Sequence, residues 1–119
     1  MKEMGLAPIQ AEFAEMLWEK GPMGSGELVK LCGEKFGWKK STTYTVLKTL
    51  EKKGIFRNEN GTVTPVLSRE EYYAERSGQA VEDLFQGSLP AFVAAFVSKK
   101  KLSDQEIEEL VKIIRESRS

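Results

Sequence analysis

Apolar residues recur at helical spacing along most of the chain. Ile9, Phe13, Met16 and Leu17 fall at i, i+4, i+7 and i+8 behind Pro8, whose fixed φ suits a first helical turn, and Gly21-Pro22 ends the run. Ser25 reads as the N-cap of a second helix that carries Leu28, Leu31 and Cys32 on its inner side and ends near Phe36-Gly37. The stretch KKSTTYTVLKTLEKKG, residues 39–54, reads as a third helix stopped by Gly54. The period then changes. Residues 55–58 and 62–64 are β-prone runs on either side of Glu59-Asn60-Gly61, and Asn-Gly between such runs is a strong hairpin signal. Pro65 lacks an N–H, so it either limits the second strand to an edge or ends it.

Three more helices are predicted downstream. Ser68 with Glu71 and Ser103 with Glu106 have the Ser-x-x-Glu spacing of a capping box. Ser88 caps the helix between them, which carries Leu89, Phe92, Val93, Phe96 and Val97. The last helix sets Ile107, Leu110, Val111 and Ile114 at i, i+3, i+4 and i+7. There is no internal repeat and no low-complexity segment. The expected fold is mainly α with a small two-stranded hairpin: a winged helix-turn-helix over residues 1–67, then a helical region over residues 68–119. Each tail helix offers a single apolar stripe, and about fifty residues make a poor independent core. The stripes therefore need a partner. A second copy of the chain is the simplest, giving a two-fold homodimer through Leu84, Leu89, Phe92, Val93, Phe96, Ile107, Leu110, Val111 and Ile114.

On a helical wheel the third helix divides in two. Thr43, Val46, Leu47 and Leu50 cluster as a packing seam; Ser41, Thr45, Lys48 and Lys52 lie opposite, with Tyr44 and Thr49 on the flanks. Charge sharpens this picture. The 119-residue chain is neutral overall, yet residues 35–57 hold seven Lys and Arg against Glu51 alone. Such a local basic patch is an electrostatic footprint for nucleic acid. Short hydroxyls and one tyrosine near the helix N-terminus permit close approach and hydrogen bonds to phosphates or base edges. The lysines continue where flanking phosphates lie, and the helix N-terminus offers free N–H groups to an anion. A merely solvated helix would favour Ala, Glu or Gln over β-branched threonines. The predicted contact set for double-stranded DNA is Lys39, Lys40, Ser41, Thr42, Tyr44, Thr45, Lys48, Thr49 and Lys52, with Arg57 from the hairpin.

These pieces together resemble the penicillinase-repressor family, which includes repressors of β-lactam resistance and copper-responsive repressors. The matching residues are Glu12 and Leu17-Trp18 in the first helix, Trp38, residues 41–47, and Leu50-Glu51-Lys52-Lys53-Gly54. Ser68-Arg69-Glu70-Glu71-Tyr72, Gly87-Ser88-Leu89, Leu102-Ser103, Glu106 and Glu108-Glu109-Leu110 extend the match over the whole chain. The resemblance implies a homodimeric transcriptional repressor whose winged helix binds palindromic operators, typically containing TACA/TGTA, and whose C-terminal helices dimerise. It also implies release through a membrane metalloprotease sensor pathway.

Three departures from the family pattern matter. The hairpin is short, without a basic residue after Gly61 or aromatics on the return strand, so Arg57 is its only base. The family's scissile Asn-Phe pair aligns with Ala95-Phe96, and Phe96 reads better as an aromatic of the apolar stripe it shares with Phe92. Copper-responsive members carry paired Cys-x-Cys elements; one cysteine and no histidine leave no ligand set for a soft metal.

The remaining features read plainly. Cys32 is a small core residue without an intramolecular disulfide partner, which fits a cytoplasmic protein. The start MKEMGLAPIQAEF has no apolar signal core, and no run approaches the ~18 apolar residues of a membrane span, so no direct membrane binding is expected. Trp18 and Trp38 read as packing aromatics, Lys99-Lys100-Lys101 as a solvated loop, and Glu70-Glu71 and Glu108-Glu109 as exposed helix faces. With no histidine, phosphate loop or activated nucleophile, the chain is not expected to be an enzyme or to use a cofactor. The rival reading is a winged helix serving as a protein–protein module without operator binding.

Overall fold

A computed structural model of the chain describes residues 4–118; residues 1–3 and Ser119, which entered the readings of the two termini, lie outside them. The order of elements is α1 (Pro8–Lys20), β1 (Met23–Gly24), α2 (Ser25–Phe36), α3 (Lys40–Lys52), β2 (Phe56–Glu59), β3 (Thr62–Pro65), α4 (Arg69–Phe85), α5 (Leu89–Lys99) and α6 (Asp104–Glu116). They form two compact units, Met1–Ser77 and Gly78–Ser119, with the division falling inside α4.

The first unit is a winged helix-turn-helix. Its core combines Phe13, Met16 and Leu17 of α1, Leu28 and Cys32 of α2, Leu47 and Leu50 of α3, and Ile55, Phe56, Val63 and Tyr72 beyond them. Thr43 is the polar member of the inner α3 seam, fully buried, with its hydroxyl donating to the Lys39 carbonyl. Val46 is half-buried at the edge of that core. Ile9 departs from the expected apolar face: it is 40% exposed, because the core begins one turn later at Phe13. Around the core lies an aromatic layer. Trp18 packs against Phe56 and Tyr72 at centroid distances of 5.4 and 5.5 Å while its indole N–H donates to the Leu67 carbonyl. Trp38 stacks on Phe13 and meets Phe36 at 4.6 Å.

The end of α3 is fixed by hydrogen bonds as well as by composition. The Ile55 N–H donates to the Leu50 carbonyl and the Gly54 N–H to the Glu51 carbonyl. This is the paired closure of a Schellman motif, and its usual apolar contact is supplied by Leu50 and Ile55, both fully buried. Gly54 sits at φ +79°, a conformation that disfavours any side chain. The chain leaves directly into β2.

The sheet has three strands in the order β1-β3-β2, one more than the hairpin predicted from sequence. Met23 pairs with Val63 and Gly24 with Thr62, so a two-residue strand before α2 caps the hairpin's open side. β3 is thus the middle strand, and Pro65 ends it rather than placing it at an edge. Asn60 and Gly61 both have positive φ, as a two-residue type I′ turn requires. The β1 pairing also moves a cap. Ser25 is the first residue of α2 and Gly24 its N-cap, because the Ser25 N–H is already engaged by the Gly61 carbonyl at 2.8 Å.

Capping at the later helices follows the sequence. Ser68 and Glu71 exchange side-chain–backbone bonds of 2.8 and 3.0 Å ahead of α4, and Ser103 and Glu106 do the same at 3.1 Å ahead of α6. The Ser103 backbone N–H and hydroxyl hold the Glu106 carboxyl below its ordinary value. Ser88 accepts from the Ala91 N–H at α5. In the second unit Phe85, Phe92 and Phe96 form a chain of ring contacts.

Truncating the α3 seam at Leu50→Ala should lower the unfolding free energy by about 2–5 kcal/mol in a urea melt. Ile9→Ala, on the exposed start of α1, should stay within about 0.5 kcal/mol of the parent in the same measurement.

Candidate nucleic-acid interface

The exposed side of α3 is built by the burial of its other side. Thr43, Leu47 and Leu50 are each 1% exposed or less. The residues opposite, Ser41, Thr45, Lys48 and Lys52, all stand in solvent, and Lys39, Lys40 and Thr42 join them at the helix N-terminus. Tyr44 and Thr49 are half-buried on the flanks. The predicted contact residues of α3 therefore share one continuous surface. Lys39 is the N-cap residue, with extended backbone and no side-chain capping bond, so the first-turn N–H groups gain nothing from a capping side chain.

Two charges in this region have other engagements. Lys53 donates to the Gly5 carbonyl at 2.9 Å, which ties the segment before α1 to the end of α3. Tyr72 holds the same segment from α4, donating to the Met4 carbonyl at 2.7 Å. Arg57 of β2 pairs with Glu59 at 2.8 Å, both more than half exposed. An ion pair this exposed is worth little, but it offsets the charge of the wing's lone base.

Glu51 is the one acid in residues 35–57. Its carboxylate accepts the Asn58 N–H at 3.3 Å, joining the last turn of α3 to β2. Glu51 thus fixes the wing against the helix, a role that only its long-range partner discloses. The Asn58 side-chain oxygen beside it is buried without a protein partner.

Beneath the helix, Cys32 is fully buried and contacts the Thr43 hydroxyl; burial pushes its thiol above the usual value, with the Thr43 hydrogen bond opposing. Among the described residues no group of three or more His, Cys, Asp or Glu is placed to hold a metal ion.

The second unit presents the predicted dimer stripe to solvent. Leu84 and Leu89 are more than half exposed, and Val93, Phe96, Ile107, Leu110, Val111 and Ile114 range from 39% to 61%. Phe92 is half-buried. Phe92, Val93, Phe96, Val97, Leu102 and Leu110 line a hollow of about 210 Å³ between α5 and α6. Ala95 is exposed in the middle of α5 beside Phe96, both within regular helix.

A winged helix-turn-helix with a basic, hydroxyl-rich third helix belongs to the transcription-regulator class of folds. Comparison with known proteins gives the family. The model of the family described as Penicillinase repressor matches residues 6–116. A penicillinase repressor of Bacillus licheniformis is 25% identical over 118 residues, covering 96% of this chain and 92% of its own length. The chain belongs to the penicillinase repressor family, and transcriptional repression rather than catalysis is the role that membership carries. Among the described residues no single helix is long and apolar enough to cross a membrane.

Burial of Cys32 has a pH consequence. A thiol raised on folding contributes stability that is intact below the usual thiol value near 9.0 and is lost as pH rises through the raised one. Thermal melts from pH 8 to pH 10.5 should therefore fall more steeply for the parent than for Cys32→Ala, after each is referred to its own value at pH 8.

Proposed function

We propose that this chain is a cytoplasmic repressor that binds a palindromic DNA operator as a homodimer. The observation that carries this reading is the two-sidedness of α3. One side is locked into the core, while the other offers Ser41, Thr45, Lys48 and Lys52 together to solvent. Lys39, Lys40, Thr42, Tyr44 and Thr49 complete the surface, and Arg57 extends it at the wing. A recognition helix of this kind enters the major groove with its N-terminal residues on base edges. Its lysines meet phosphates and supply most of the affinity.

Dimerisation supports the same reading. Two-fold related operators need two-fold related recognition helices. The apolar stripes of α5 and α6, with Leu84 at the end of α4, leave in water an extended apolar surface of the kind that marks a protein–protein interface. A second copy covers them with an isologous surface. We assign residues 1–67 to operator binding and 68–119 to dimerisation. Phe96 belongs to the stripe, and with Ala95 in place of the family's asparagine this reading does not depend on cleavage at that bond. The family resemblance implies release through a membrane sensor protease pathway, and that is the partner to test once an operator is in hand.

The duplex enriched by the full-length chain from a randomised pool is the probe. Lys48→Ala and Lys52→Ala should each weaken binding and lower the slope of log K against log[salt] by about 1, with melting temperatures close to the parent's. Unchanged affinity in both would place the DNA surface elsewhere, and a flat salt response of the parent would favour a protein–protein role. Leu110→Glu with Ile114→Glu should sediment as a monomer and bind the same duplex far more weakly, since its half-sites are then filled independently. A double variant that still sediments as a dimer would remove the tail's assigned role.

A further inference from the structure

The threonines of α3 carry information beyond their polarity. Thr45 Oγ1 donates to the Ser41 carbonyl at 2.9 Å, and Thr49 Oγ1 donates to the Thr45 carbonyl at 3.1 Å. A carbonyl oxygen only accepts, so each hydroxyl's single hydrogen is committed to the helix itself. What Thr45 shows to a partner is its methyl group and an oxygen with lone pairs alone. Thr45 is exposed in the centre of the outward row, whereas Thr49 is half-buried one turn further on.

We propose that Thr45 is a specificity-determining residue that selects an A·T base pair in the major groove through its methyl and its acceptor-only oxygen; this rests on the operator-binding reading above. The major-groove edges decide the match. Thymine offers a C5 methyl, and its adenine partner offers an N6–H donor beside it. These are the two complements of what Thr45 presents. Guanine offers only the N7 and O6 acceptors on its edge, which face lone pairs across the contact. Cytosine supplies an N4–H donor without the methyl. The rest of α3 strengthens the assignment. Its sequence KSTTYTVLKTLEK holds no Asn or Gln, so the bidentate readers of adenine are absent from the helix, and with no Arg the reading of guanine is left to its lysines. Lys48 is exposed one turn beyond Thr45 on the outward row.

The test uses the full-length chain and the duplex it enriches from a randomised pool. Each thymine is replaced in turn by deoxyuridine, which removes the C5 methyl and leaves the pairing intact. One thymine per half-site should show about a four-fold loss of affinity for the parent protein, the effect of uncovering one methyl group. Thr45→Ser, which keeps the hydroxyl and loses the methyl, should be indifferent to that replacement. Thr45→Val, which keeps a methyl, should retain the penalty. If no thymine is sensitive in the parent, or if Thr45→Ser shows the parent's full penalty, the assignment is wrong while operator binding stands. The parent scan needs no variant and can overturn the assignment by itself. Failure to enrich any duplex would remove the operator reading, and this inference with it.

Discussion

The inner side of α3 is held by three side chains with almost no exposure, Thr43, Leu47 and Leu50, and by a Schellman closure whose apolar contact joins Leu50 to Ile55. The rest of the first unit depends on that grip. Because Leu50 and Ile55 are both in the core, the turn at Gly54 has no freedom to swing, and β2 leaves α3 in one direction. Glu51 adds a hydrogen bond across the same corner, and Lys53 draws the segment before α1 onto it. A side chain on the outer row is therefore aimed by a rigid support. Precision of that kind is what reading base edges demands.

Charge works locally here, not through the total. A neutral chain has little long-range pull on a polyanion, and at physiological salt fields beyond about 8 Å are screened. Within that range, the lysines of α3 are opposed by few acids. Glu51 is turned to Asn58, and Glu59 is paired with Arg57 on the wing. The consequence is a division of labour along one helix. On the proposed operator reading, the lysines give sequence-independent attraction, and the threonines, with their hydroxyl hydrogens spent on i−4 carbonyls, give a shape and an acceptor pattern. Back-bonded threonines slightly weaken a helix. The presence of Thr45 on the exposed row of α3 has no packing explanation, which fits a row kept for contact.

Much of this was legible in the sequence because it rests on short-range regularities. Period 3.6 disclosed the helices, Ser-x-x-Glu the caps at Ser68 and Ser103, Asn60-Gly61 the hairpin turn, and the wheel the two sides of α3. What stayed hidden was set by distant partners. A two-residue strand at Met23-Gly24 has no periodicity of its own and exists only because Thr62 and Val63 lie beside it. That pairing also took the Ser25 N–H, which moved the cap of α2 back to Gly24. Likewise Glu51 and Lys53 looked like ordinary members of a charged run, and only their contacts with Asn58 and Gly5 separate them from the outward lysines. Arg57 was legible as a base on the wing, but not its pairing with Glu59.

The weakness of the wing and the exposure of the tail belong to one argument. A four-residue hairpin strand whose single base is ion-paired adds little grip on a duplex. On the proposed operator reading, one recognition helix with a handful of outward contacts then carries the contact surface of a half-site, and such a helix alone binds modestly. The affinity deficit is recovered when a second helix is tethered to the first, because the second half-site is filled at a high effective concentration. In this reading the apolar stripes of α5 and α6 are the counterpart of the short wing. What the wing does not supply in phosphate contacts, covering Val93, Phe96, Leu110 and Ile114 with a second copy supplies through geometry. On the same reading, any signal that separated two such copies would act on affinity without touching α3.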